Sequence, residues 1–113
     1  MTGIRGAIAE VSNTSDEIID SSKDLFIQLL ERNNLDITKI TSVIFTVTHD
    51  LTEAFPAKAI RELGYTSIAA IDTLAPNIVN DLKGCIRVLV HYDEDIDPDH
   101  VYLGKAKNLR TDR

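Results

Sequence analysis

The sequence predicts an α+β domain: one mixed β-sheet with a long helix and a short helix covering a face. Three observations carry this expectation. A helical apolar repeat fills residues 15 to 32, strand alternation recurs near both ends and in the middle, and a proline-led helix separates two strands. The 113 residues suit a single domain, residues 1–113, with one compact core. With 43% apolar and 27% charged residues, Ile, Leu and Val are plentiful enough to bury that core, unlike in a disordered chain.

The first strand is read over residues 4 to 11, where Arg5, Ala7, Ala9 and Val11 share one face. Thr14 and Glu17 form a capping-box pattern. Behind them Ile18, Leu25 and Leu29, with Ile19, Phe26 and Leu30, repeat at helical spacing until Asn33-Asn34. Val43, Phe45 and Val47 alternate with Ser42, Thr46 and Thr48 as in a half-buried strand. Pro56 holds Phe55 extended and suits a first helical turn, so a short helix runs to Leu63 and ends at Gly64. Ser67 to Ile71 reads as a short strand, Asp72 to Pro76 as a loop, and Asn77 to Lys83 carries only a weak pattern. Cys85 to Tyr92 is the clearest strand. Asp93 to Asp99 is a solvated acidic loop, and His100 to Leu109 a last strand with Tyr102 and Arg110 on one parity.

Several chemistries are poorly served. A net charge of −6 argues against nucleic acid, whose phosphates call for clustered Lys and Arg. No run approaches the roughly 20 apolar residues of a membrane helix, and Met1 to Gly6 lacks a signal peptide's apolar region. A single cysteine and no metal-site spacing point to a reducing, cytoplasmic setting without a metal. The alternating Asp93, Asp95, Asp97 and Asp99 fail as a calcium loop, having Pro98 where Gly is needed and Gly104 where a carboxylate is needed. Cys85 lies in an apolar strand and reads as core rather than nucleophile. No glycine-rich phosphate loop follows a strand, so no nucleotide cofactor is expected. What remains is a set of arginines. Arg87 shares a face with Cys85 and Leu89, where a guanidinium is partly desolvated unless an anion or an acidic neighbour meets it. Arg5 and Arg110 pose the same choice.

Five blocks together resemble the small trimeric chorismate mutases typified by Bacillus enzymes. They are Ile4-Arg5-Gly6-Ala7, Ala54-Phe55-Pro56-Ala57-Lys58-Ala59-Ile60-Arg61-Glu62, Cys85-Ile86-Arg87-Val88, His100-Val101-Tyr102-Leu103, and Leu109-Arg110. The resemblance spans nearly the whole chain. It implies a homotrimer of pseudo α/β-barrel form, with active sites between subunits, that converts chorismate to prephenate without a cofactor or covalent intermediate. It further implies that Arg5, Arg87 and Tyr102 line the pocket with Phe55, Ala57, Lys58 and Arg61, and that Leu109 and Arg110 close over it. Only three residues follow Arg110, so such a lid would be short.

One position departs from that pattern. Where the family has a glutamate after the third core strand, gapless counting back from Cys85-Ile86-Arg87 reaches Ala75. Three residues earlier stands Asp72, which is expected either to supply the missing carboxylate to the same cleft or to cap the following turn. The alternatives are an enamine or imine deaminase of the same architecture, and a non-catalytic trimer that senses an aromatic-pathway metabolite.

Overall fold

The computed structural model describes residues 1–107. Its elements run β1 (Thr2–Ala9), α1 (Ser15–Arg32), a 3-10 turn (Ile37–Lys39), β2 (Ile40–Val47), α2 (Lys58–Glu62), β3 (Ala69–Leu74), β4 (Ile86–Tyr92) and β5 (Val101–Gly104). The five strands form one mixed sheet in the order β3-β2-β4-β1-β5. β4 runs antiparallel to both β1 and β2, while β3 and β5 lie parallel to β2 and β1 at the two edges. The predicted α+β layering is therefore the observed one.

α1 begins and ends where its caps dictate. The Thr14 hydroxyl accepts from the Glu17 N–H at 3.2 Å, and Asn33 closes the helix with its amide donating to the Leu29 carbonyl. Asn34 takes a left-handed turn at φ 48°. One face of α1 buries Ile18, Leu25, Phe26 and Leu29 against Ile4, Val43, Phe45, Val88 and Val90 of the sheet, forming the main core. Gly6 permits the close approach. A Cβ there would stand 3.0 Å from Leu25 Cδ1 and 3.2 Å from the Val101 carbonyl.

Three boundaries differ from expectation. β1 stops at Ala9 because Glu10 turns to φ 60°, which swings Val11 into the main core, away from the face of Arg5 and Ala7. Val11 N–H instead pairs with the carbonyl of Gly84, a left-handed glycine whose Cβ would collide with Val11 backbone at 2.4 Å. β3 covers Ala69–Leu74, so Asp72 sits inside a strand and not in a loop. β5 is shorter than predicted, since Gly104 at φ 58° ends it. Cys85 is buried beside Ala7, Ala9 and Ala106, as its apolar surroundings implied.

Candidate active site

A strand alternates its side chains, so the residues between the core positions emerge on the face that the helices leave uncovered. Arg5 and Ala7 of β1, Ile44 and Thr46 of β2, and Arg87 and Leu89 of β4 all lie there. The register sets them side by side: Arg87 is the cross-strand partner of both Ala7 and Thr46, and Ala7 also pairs with Tyr102 of β5. Together with Pro76 these residues bound a cavity of about 270 Å³. Among the described residues, neither the Arg5 nor the Arg87 guanidinium has an ion pair, and no acidic side chain lines the cavity. Arg5 is fixed through its backbone, whose N–H donates to His100 Nδ1 at 3.0 Å. Two cations facing one small cavity suit a compact ligand with more than one anionic group.

The remaining predicted residues gather elsewhere. Phe55, Lys58 and Asp72 line a second cavity of about 450 Å³, bounded also by Leu51, Pro56 and Leu74. Asp72 pairs with Phe45 in register and therefore projects on the helix side of the sheet, opposite to Arg87. Within one chain, then, Asp72 and Arg87 lie on opposite faces, and a cleft that holds both is one shared between neighbouring copies. Asp72 does not cap the turn that follows it: Oδ1 accepts from the Ala57 N–H at 2.9 Å, tying β3 to the start of α2. Burial pushes the Asp72 carboxyl above its ordinary pKa, against the opposing pull of that N–H and of the Arg61 charge. Ala57 is itself buried, and Arg61 is exposed on α2.

Phe55 stands 70% exposed, an unusual state for a large aromatic beside a cavity. Lys58 reaches Glu62 only at 3.9 Å, because Lys23 of α1 holds that carboxylate more closely at 2.9 Å. Lys58 thus keeps most of its donor capacity. Ala75 is a buried methyl, its N–H bonded to the Val47 carbonyl and its own carbonyl to His49 Nε2. Leu109 and Arg110 lie outside the described residues.

The chain's relatives are of one family. The family model for chorismate mutase type I matches residues 1–113. The chain belongs to the type I chorismate mutases. It is 38% identical to chorismate mutase AroH of Thermus thermophilus, over 97% of this chain and 93% of that one. Against chorismate mutase AroH of Bacillus subtilis the identity is 35%, over 97% and 90%. A solved chorismate mutase from Clostridium thermocellum superposes with a TM-score of 0.92 at 41% identity, covering 96% of this chain and 99% of that one. These relatives do not favour the deaminase or sensor alternatives.

Strand parity could have found more than the arginines. Ile44, Leu89 and Thr46 share the Arg87 face, but the pairing of β2 with β4 that brings them together is not written in either segment alone.

Proposed function

We propose that the chain rearranges chorismate to prephenate in sites that combine the Arg87 cavity of one copy with the Phe55–Asp72 cavity of a neighbour. The observation that carries it is the pair of guanidiniums, Arg5 and Arg87, that face one cavity and find neither an ion pair nor a lining acid among the described residues, in a member of this family. The reaction is intramolecular: the ether C–O bond breaks as a C–C bond forms between the enolpyruvyl methylene and the ring. No proton, electron or group leaves, so the protein's task is to orient the substrate and stabilise charge.

Arg5 binds a carboxylate through the two parallel N–H bonds that a guanidinium allows, and the Tyr102 hydroxyl borders the same ligand. Arg87 donates to the ether oxygen, which gains negative charge as its bond to the ring breaks. A preorganised donor of this kind lowers a barrier by about 2.7–4 kcal/mol. Holding the enolpyruvyl arm over the ring supplies a further part by removing rotational freedom beforehand. From the neighbour, Lys58 and Arg61 add positive charge, Phe55 and Ala57 shape the wall, and Asp72 supplies a carboxylate toward the electron-poor ring.

A homotrimer in the cytoplasm accords with these roles. One chain's two cavities open on opposite faces of its sheet, so a ligand touching both sets needs two copies. Self-association would also cover Ile71 and Leu74 of the edge strand β3 and Phe55 ahead of α2, each at least 60% exposed. Among the described residues no helix is long and apolar enough to cross a membrane.

The test is direct: purified protein mixed with chorismate should abolish its ultraviolet absorbance as prephenate accumulates. Chorismate that persists beyond its uncatalysed decay would remove the proposal.

A further inference from the structure

Thr46 stands on β2, inside the sheet, between Thr73 of β3 and Arg87 of β4. It faces the 270 Å³ cavity, and among the described residues its Oγ1 is the buried side-chain oxygen that finds no hydrogen-bond partner. Buried hydroxyls are rarely left so, because water has been removed from a donor and two lone pairs with nothing in exchange. Neighbouring hydroxyls show the usual outcome: Thr48 Oγ1 accepts from the Cys85 N–H at 3.0 Å, and Ser42 Oγ pairs with His91 Nδ1 at 2.9 Å. Valine would have the same shape, a stronger preference for strand and no polar atom to satisfy. Among the described residues the hydroxyl therefore serves no hydrogen bond in the fold.

Its surroundings give it a use. The cavity is walled by the apolar surfaces of Ala7, Ile44, Val88 and Leu89, with the Arg5 and Arg87 guanidiniums as its charged groups. Guanidiniums only donate, so an anion that enters brings oxygens that can accept from Thr46 as well. We infer that Thr46 is a further substrate-binding residue, whose hydroxyl, sealed from solvent in the free chain, turns about χ1 on binding and donates a hydrogen bond to the ligand oxygen that Arg87 also holds. The inference rests on the proposed reaction and adds a third donor to it. In a cavity with apolar walls that bond is worth more than the same bond in water.

The experiment compares Thr46→Val and Thr46→Ser with the parent chain in chorismate turnover and thermal unfolding. The valine variant should lose about tenfold or more in kcat/KM, the usual effect of deleting one hydrogen bond to a charged group, while serine stays close to the parent. Its unfolding midpoint should equal or exceed the parent's, since a buried unsatisfied group has been removed. Parent-like kcat/KM in Thr46→Val, or a lost activity matched by a lowered midpoint, would overturn the inference. If the parent itself does not turn over chorismate, the proposed reaction fails separately. Calorimetric titration with prephenate then decides on Thr46: weaker binding by Thr46→Val alone upholds it, and equal binding or none in the parent overturns it.

Discussion

The two faces of the sheet are made from alternate residues of the same strands, yet they differ in nearly every physical respect. Toward α1, Ile4, Val43, Phe45, Val88 and Val90 are sealed in one aliphatic and aromatic cluster. One residue along each strand, Arg5, Thr46 and Arg87 meet a cavity, and among the described residues the two guanidiniums have no ion pair and the Thr46 hydroxyl no hydrogen bond. The first face has spent its interactions on folding, and the second has kept them for a ligand. A period of two thus lets a short chain carry core and site on one segment, with adjacent positions answering to different measurements.

Phe45 and Arg87 test that division most severely. Phe45→Ala should destabilise the chain by about 3–5 kcal/mol, because the surrounding side chains cannot refill the space of a fully buried ring. That is a large share of the roughly 5–15 kcal/mol typical of a whole domain, and urea unfolding reads it. A small shift in midpoint would mean that the helix-side face is not the source of the fold's stability.

Arg87→Met should do the reverse. It keeps an unbranched apolar stem while deleting the charge, so kcat should fall by about 2.7–4 kcal/mol in barrier with little change in unfolding. Mixing this variant with Lys58→Ala under conditions of subunit exchange adds a sharper outcome. Mixed oligomers contain some sites with both halves intact, and activity should reappear above that of either variant alone. Its failure to reappear, with exchange confirmed by mass spectrometry, would place both halves in one chain and dissolve the contrast.

How much of this was legible depended on whether the information was local. The capped helix over residues 15 to 32, the β4 strand and the shared face of Arg5 and Ala7 follow from periods and end signals that each segment carries by itself. Val11 did not follow, because the left-handed turn at Glu10 resets the alternation without any glycine or proline to announce it. The face of Asp72 was hidden for a deeper reason. Counting along the chain fixes its distance from Arg87 but not its face, which depends on the parallel register of β3 against β2, with Phe45 opposite Asp72. Thr46 belongs to the same class: its parity was visible, but its position beside Arg87 comes from strand pairing.

Asp72 offers a small effect on stability with a distinct pH signature. Its carboxyl is raised above the ordinary value by burial, so over the pH range just above the unfolded pKa the folded chain binds the proton more tightly than the unfolded chain. Stability then falls as pH rises through that range, and the ionised carboxylate is a modest burden at neutrality. Asp72→Asn keeps an oxygen that can accept from the Ala57 N–H but carries no charge to desolvate. The variant should unfold slightly later than the parent at neutral pH, with the difference shrinking as the solution is acidified below the unfolded pKa. Chorismate turnover should nevertheless drop, because the carboxylate toward the ring is gone. Higher stability with undiminished turnover would leave Asp72 as a tie between β3 and α2 and nothing more, and would confine the chemistry to the arginine-bearing face.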